Sequence, residues 1–267
     1  MSITATRIKA GAYLAAILAL SSSFAGCSQQ MTSIFSQREK DMTEGWSANK
    51  IYVTAKESLN GGDYDRAIKL YESLEARYPL GRFAQQAQLE TAYAYYKNDE
   101  PDSALDAIDR FLRMNPSSDS ADYALYLRGL VNFNRGSSIV DKVFPRSIAD
   151  LDTVRQKESF QDFSHLVTRY PNSKYAPDAK ARIQYLRNSL AEGEVNVAKY
   201  YMVRGAWLAA FNRSEYAIKH YQGSPAIVDA LEIKVQAANN LGKPDLAADS
   251  LRVLETNFPQ RAAKLRR

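Results

Sequence analysis

The sequence predicts an all-α fold in which about five helix pairs follow one another as a right-handed superhelical array. The first observation is an internal repeat, because an alanine is followed twelve residues later by a proline at Ala67–Pro79, Ala104–Pro116 and Ala247–Pro259. In each copy apolar residues recur at helical spacing after the alanine, and the proline cannot continue the helix. The second observation is that no stretch alternates between apolar and polar residues as a half-buried strand does. Short helical repeats bury their apolar faces against their neighbours, so the period itself predicts the array.

The helix pairs can be placed one by one, because two helices cross closely only where both side chains are small. In the first pair Ala55 and Ala67 take the small positions, and the same spacing of twelve residues returns at Ala92 and Ala104 of the second pair. This helix–turn–helix unit resembles the tetratricopeptide repeat. The five predicted pairs span about residues 48–79, 83–116, 122–171, 192–221 and 226–259.

Two irregularities interrupt the array. In the third pair the small residues Gly129 and Ser159 are 30 residues apart, which predicts an insertion of about eighteen residues near 135–152. A separate long helix is predicted over 177–191, before the fourth pair begins at Glu192. The array is therefore expected to be regular at both ends and irregular in the middle.

The N-terminal residues 1–26 have the layout of a secretory signal peptide, with a basic start and an apolar run that is too short to span a bilayer. The segment Phe-Ala-Gly-Cys that ends at Cys27 resembles the lipobox of bacterial lipoproteins, in which the cysteine is acylated. The alternative is an ordinary cleaved signal with an incidental cysteine. In such lipoproteins a serine at the next position, here Ser28, favours the outer membrane. Residues 27–46 are then predicted to be a lipidated N terminus and a flexible tether.

Composition excludes several classes of function. The net charge of +5 is too small to predict a nucleic-acid partner, and Cys27 is the only cysteine, which excludes disulfides and cysteine-based metal clusters. His165 and His220 lie far apart without ligand partners at suitable spacing, and no glycine-rich phosphate loop or nucleophile elbow occurs. We therefore predict no enzymatic activity, no metal and no cofactor. The chain ends in basic residues that either meet anionic lipid headgroups or form a frayed, solvated tail: Arg261, Lys264, Arg266 and Arg267.

Five segments, taken together with the lipobox, resemble the BamD family, the lipoproteins of the outer-membrane β-barrel assembly machinery: Tyr78–Arg82, Tyr93–Lys97, Ala107–Phe111, Arg128–Leu130 and Arg204–Trp207. The resemblance covers nearly all of the mature chain. It implies a non-enzymatic lipoprotein of the outer membrane with its body in the periplasm. It also implies that the repeats over 47–174 contact unfolded outer membrane proteins and, in some bacteria, another assembly lipoprotein. The repeats over 175–267 would contact the barrel-forming assembly protein.

The first helices of a tetratricopeptide array line its concave face, and the register of the small residues turns a set of tyrosines towards that face. These predicted substrate-binding residues are Tyr52, Tyr93, Tyr96, Tyr123 and Tyr126. Aromatic side chains offer a large contact area at little cost in rotamer freedom, which suits an extended apolar peptide. Lys97 and Arg128 lie nearby in sequence and are expected to meet acidic groups. The alternative is that the tyrosines only fill the space between neighbouring helices.

The resemblance further implies a partner surface on the fourth pair, with the residues Tyr200, Arg204, Trp207, Asn212 and Arg213. Asn212 and Arg213 interrupt an apolar run, so we expect both to point outward. Arginine makes forked contacts with carboxylates that lysine cannot reproduce, which suits an interface. The alternative is that Arg213 pairs only with Glu215 or another nearby carboxylate of its own surface.

Two functions from different classes remain open from the sequence. The first is an assembly factor that scaffolds the insertion of β-barrel proteins by binding the barrel-forming subunit and nascent substrates. The second is a structural lipoprotein whose repeats link the outer membrane to peptidoglycan. A cell-wall hydrolase is not favoured, because no paired catalytic carboxylates or activated nucleophile can be recognised.

Overall fold

The computed structural model describes residues 43–134 and 153–265, and within them the chain forms eleven α-helices and no strand. The all-α prediction is confirmed, whereas the signal segment, Cys27 and the predicted insertion at 135–152 lie outside the described residues. A compact unit begins at Ala48. In chain order the helices are α1 Ala48–Asn60, α2 Tyr64–Arg77, α3 Ala84–Lys97, α4 Pro101–Met114, α5 Ala121–Asn134, α6 Thr153–Arg169, α7 Ala176–Val203, α8 Trp207–His220, α9 Ile227–Asn240, α10 Pro244–Asn257 and α11 Pro259–Leu265.

Consecutive helices form five pairs, and each helix packs on the next one along the chain. The first helices of the pairs are α1, α3, α5, α7 and α9, and the second helices are α2, α4, α6, α8 and α10. The predicted proline stops are confirmed, because α2, α4, α6 and α10 all end two residues before a proline. First helices also touch each other, α5 on α3 and α9 on α7.

The predicted helix crossings are confirmed by the burial of their small residues. Ala67 and Ala104 are fully buried, and Ala247 is 5% exposed. In the third pair the ring of Phe163 packs against Gly129, where a Cβ atom would stand 2.6 Å from the ring. The hydroxyl of Ser159 donates a hydrogen bond of 2.9 Å to the carbonyl oxygen of Gly129. The third crossing therefore keeps the repeat geometry although the sequence between its helices is longer.

The predicted division between a long helix over 177–191 and a fourth pair starting at Glu192 is wrong, because α7 runs without a break from Ala176 to Val203. No proline occurs between Pro177 and Pro225, and a lone glycine, Gly193, costs a helix only about 1 kcal/mol relative to alanine. The first half of α7 packs on the third pair and the second half on α8. Packing against the third pair and against α8 thus stabilises one continuous helix, where the sequence predicted two separate helices.

Arg261 is neither frayed nor free for lipid, in contrast to both predictions, whereas Arg266 and Arg267 lie outside the described residues. The short helix α11 covers the last pair, with Ala262 buried against it. Arg261 donates to the carboxylate of Glu232 and, at 2.5 Å, to that of Asp229, which also accepts from Lys199 at 2.9 Å. None of the helices in the described ranges is both long and apolar enough to cross a membrane.

Candidate functional site

The five predicted substrate-binding tyrosines are all half-buried, and they lie on α1, α3 and α5. We call the surface that carries them the tyrosine groove. Within it, Tyr93 of α3 and Tyr123 of α5 line one cavity of about 640 Å³. This volume lies within the range of known ligand pockets, which is roughly 300–1,000 Å³. The complete lining is Lys56, Gln86, Leu89, Glu90, Tyr93, Asp119, Ser120, Asp122, Tyr123, Asn172, Ser173, Lys174 and Tyr175.

The other three predicted tyrosines are not part of this lining, but they extend the aromatic surface on either side. Tyr96 lies 6.3 Å from Tyr93, measured between ring centroids, and its hydroxyl accepts a hydrogen bond of 2.6 Å from Asn134. Tyr52 belongs to the first pair and stacks on Phe83 at 4.5 Å. The tyrosines are therefore partly engaged with neighbouring helices, as the alternative expected, and partly exposed.

Tyr126 is linked to the cavity through Tyr175, which sequence reasoning missed. The rings of Tyr126 and Tyr175 stack at 4.7 Å, and Tyr175 also lies 5.4 Å from Tyr123. The hydroxyl of Tyr126 donates a hydrogen bond of 2.7 Å to Asp178, which is held in turn by Arg182 at 2.6 Å. A sequence signal existed, because an aromatic residue precedes an alanine both at the start of α7, at Tyr175, and at the start of α3, at Phe83.

A buried carboxylate, Glu90, lies in the lining of the cavity and was also missed. It accepts a hydrogen bond of 2.5 Å from Lys56 of the first pair and one of 2.9 Å from Gln86. Burial, and secondly the charge of Glu90, raise the pKa of the Tyr123 hydroxyl above its ordinary value of 10.0. The charge of Glu90 is therefore compensated from within the chain, by Lys56.

The sequence led us to expect that Lys97 and Arg128 meet acidic groups, and the structure shows such contacts for Arg128. Arg128 does meet acidic groups, but they are internal, because its guanidinium lies 2.8 Å from Asp109 and 2.7 Å from Asp162. The Lys97 ammonium lies over the ring of Tyr64, 6.0 Å from its centroid. Arg128 therefore ties the second pair to the third, and it does not line the cavity.

The predicted partner residues Tyr200, Arg204 and Trp207 meet at the turn between α7 and α8. The guanidinium of Arg204 lies over the ring of Tyr200, 5.1 Å from its centroid. Gly205 makes the turn with a φ of +70°, a conformation that favours glycine, and the indole of Trp207 lies close to it. Two apolar neighbours are strongly exposed, Val203 at 87% and Leu208 at 60%. We call these six residues the turn surface.

Arg213 lies further along α8 and pairs with a carboxylate of its own chain, as the alternative expected, but this carboxylate is not Glu215. Its Nη1 atom donates a hydrogen bond of 2.9 Å to Glu194 of α7, whereas Glu215 pairs with Lys234. The Glu194 side chain is only 7% exposed and the Arg213 side chain 47%. Arg213 and its neighbour Asn212 are exposed, as expected from the sequence. Glu194 was not recognised as a partner, because the break predicted in α7 concealed its register against α8.

Glu194 also has a second cation. The ammonium of Lys157 on α6 lies 3.6 Å from its carboxylate and 5.2 Å from the ring centroid of Tyr216. Lys157, Glu194 and Arg213 share a cavity of about 320 Å³. One buried carboxylate thus joins the third pair to the fourth and holds Arg213 at the surface. The described residues contain no cluster of His, Cys, Asp and Glu side chains that could hold a metal ion.

Comparison with known proteins gives the family. The YfiO family, described as outer membrane lipoprotein, matches residues 45–254. The protein named outer membrane protein assembly factor BamD from Neisseria meningitidis serogroup A is 50% identical over 223 residues, which is 84% of each chain. The proteins of the same name from Neisseria gonorrhoeae and Vibrio cholerae are 47% and 36% identical, over 91% of this chain and over 90% and 97% of theirs. The resemblance drawn from the sequence is therefore confirmed, and the chain belongs to the YfiO family of outer membrane lipoproteins, together with these BamD proteins.

Proposed function

We propose that this chain is an assembly factor for outer membrane β-barrel proteins, which binds unfolded substrates in the tyrosine groove and the barrel-forming assembly protein at the turn surface and Arg213. Family membership supports the general role. The observation that carries the more specific proposal is the cavity of about 640 Å³ between half-buried tyrosines of α3 and α5. A scaffold that only linked the membrane to peptidoglycan has no evident need for such a cavity.

The chemistry of the tyrosine groove suits an extended, partly apolar peptide. Tyrosine rings present apolar faces and polar edges, so they accept both the side chains and the main chain of a peptide. In the cavity wall Lys56 forms an ion pair with Glu90, and Asp122 accepts a hydrogen bond from the hydroxyl of Ser173. A neutral ligand segment therefore breaks no existing ion pair when it binds.

The turn surface suits a protein partner. Protein interfaces are enriched in tyrosine, tryptophan and arginine at their energetic centres, and all three residue types occur within the eight residues from Tyr200 to Trp207. Exposed Val203 and Leu208 add apolar area around them. Arg213, held by Glu194, supplies a positioned cation on α8. We propose that acidic groups of the barrel-forming protein meet this cation.

Anchoring completes the proposal. An acylated Cys27 would hold the protein at the outer membrane, and residues 28–46 would connect the lipids to the helical body in the periplasm. We propose no catalytic role and no cofactor for the chain. We propose other assembly lipoproteins as further partners.

The test is photocrosslinking with a barrel-protein peptide that ends in an aromatic residue and carries a photoreactive group. We expect crosslinks to α3 and α5, and crosslinks confined to α8, α9 and α10 would overturn the assignment of the groove. A pull-down from detergent-solubilised envelope tests the broader role. Recovery of the barrel-forming protein is expected, whereas recovery of peptidoglycan or its enzymes alone would favour the structural lipoprotein.

A further inference from the structure

The aromatic rings beside the tyrosine groove form a row with a repeating arrangement. Tyr52 of α1 stacks on Phe83, the residue before α3, with 4.5 Å between centroids and 11° between ring planes. Tyr126 of α5 stacks in the same way on Tyr175, the residue before α7, at 4.7 Å and 17°. In both cases the first ring stands three residues before the small residue of its helix, Ala55 or Gly129.

The spacing in the sequence shows that the two stacks are equivalent. Tyr52 and Phe83 are 31 residues apart, and Tyr126 and Tyr175 are 49 residues apart. The difference of 18 residues equals the insertion inferred in the third pair from Gly129 and Ser159. The same ring-on-ring contact therefore occurs at two of the junctions between successive first helices, α1 with α3 and α5 with α7.

At the junction of α3 and α5, which lies between these two stacks in chain order, neither of the equivalent residues is aromatic. The equivalent residues are Leu89 of α3 and Ser120, the residue before α5, which are again 31 residues apart. Both line the cavity of about 640 Å³. Tyr123 packs against the same apolar cluster as Leu89, yet the cavity stays open in front of it. The cavity is thus located where the repeating arrangement would place an aromatic side chain. At that position the sequence has Ser120 instead.

We propose that the ligand completes the row, and that one aromatic side chain of a bound peptide occupies the place left open by Ser120. This inference rests on the proposed peptide-binding function of the tyrosine groove, and it names the residue that sets its specificity. Tyr93, Tyr123 and Tyr175 offer ring faces and edges within the same cavity. Aromatic pairs with centroids about 4.5–7 Å apart gain affinity beyond the apolar area that they bury.

The charges around the opening disfavour an anionic group, because the lining holds three carboxylates, Glu90, Asp119 and Asp122, against two lysines, Lys56 and Lys174. Glu90 is paired with Lys56, Asp122 accepts a hydrogen bond from Ser173, and the ammonium of Lys174 lies over the ring of Tyr175, 5.0 Å from its centroid. An uncharged ring would not have to compete with any of these contacts. The cavity is also larger than one ring needs, so residues on either side of the aromatic residue can enter with it.

The experiment measures the binding of two fluorescein-labelled ten-residue peptides to the purified full-length protein in detergent, by fluorescence anisotropy. Both peptides consist of serine, threonine and glutamine, and one carries a single phenylalanine where the other carries alanine. We expect the wild-type protein to prefer the phenylalanine peptide by about tenfold or more, since burial of a phenylalanine ring is worth about 1.5–3 kcal/mol. Ser120→Phe should fill the opening and abolish this preference.

Ser117→Phe is the matched control, because Ser117 is exposed in the same connection but does not line the cavity. It should keep the wild-type preference. Tyr93→Leu is a second variant that removes a ring from the cavity wall while keeping apolar bulk. It should weaken the preference for the phenylalanine peptide. This result does not depend on whether Ser120→Phe folds. If Ser120→Phe discriminates between the peptides as the wild type does, the inference is overturned. Equal binding of both peptides by the wild type overturns it too, but leaves peptide binding in the groove intact, whereas no binding of either peptide contradicts the proposed groove as well.

Discussion

The ring of Phe163 occupies the space in which a side chain on Gly129 would begin, with its nearest atom 2.6 Å from the place of a Cβ atom. Phe163 is fully buried and cannot turn away. This contact closes the third helix pair, whose helices α5 and α6 are separated by the longest connection in the array.

Gly129→Ala should therefore destabilise the protein although alanine is the better helix former. Overpacking of a core typically costs about 1–3 kcal/mol, and the gain in helix propensity offsets about 1 kcal/mol of that. Thermal unfolding followed by circular dichroism should show a lower Tm. The double variant Gly129→Ala/Phe163→Leu should lose less than the two single variants together, because the smaller side chain makes room. A Tm equal to or above that of the wild type in Gly129→Ala would contradict the close contact.

Arg213→Ala should weaken binding of the barrel-forming protein by about 2 kcal/mol, if Arg213 is an interface residue as proposed. The same substitution takes one of two cations from buried Glu194, so some loss of stability is expected as well. Arg213→Lys separates the two effects, because lysine can still pair with Glu194 but cannot make forked contacts with a partner. It should keep the Tm and lose affinity.

Calorimetric titration with the soluble periplasmic domains of the barrel-forming protein measures this binding. Arg252→Ala is the control, since Arg252 forms an exposed pair with Asp249 on α10, with both side chains 73% exposed. Wild-type affinity in Arg213→Ala would remove Arg213 from the interface.

Cys27→Ala should yield a protein that a detergent-free wash releases from membranes, because stable anchoring requires the acyl chains. The measurement is the distribution between pellet and supernatant after sedimentation of the envelope. A variant that still sediments completely would mean that protein contacts alone retain it.

Acid should loosen the C-terminal helix α11. Hydrogen bonding to Lys199, and then to Arg261, lowers the pKa of Asp229 below its ordinary value of 3.8. A carboxylate with a lowered pKa contributes stability above its unfolded-state pKa, and this contribution is lost as the pH falls through the folded-state pKa. The amide signals of Ala262 and Ala263, followed by NMR from pH 5 to pH 2, should report this loss. Asp229→Asn should reduce the transition while Arg261 stays bound to Glu232, and an unchanged transition in that variant would exclude Asp229 as its origin.

The sequence predicted the helix pairs and their crossings because both depend on local rules. Alanine at a crossing and proline after a helix have the same effect in every repeat, so Ala67 and Ala104 could be placed without a structure. The joined helix α7 was missed because its continuity depends on packing against α6 and α8 and not on a local signal. The partners Glu90, Tyr175 and Glu194 were missed for a related reason, since each is brought to its contact by the stacking of one pair on the next.

The unbroken helix α7 also fixes a distance. Asp178, which binds the hydroxyl of Tyr126, and Tyr200 of the turn surface both lie on this helix, 22 residues apart. At 1.5 Å per residue they are about 33 Å apart along one continuous rod. An extended chain covers that distance in about ten residues, which is also the usual length of one strand in an outer-membrane barrel. If the substrate and the partner bind at the two surfaces as proposed, a substrate segment that reaches from one to the other must therefore be at least about one barrel strand long.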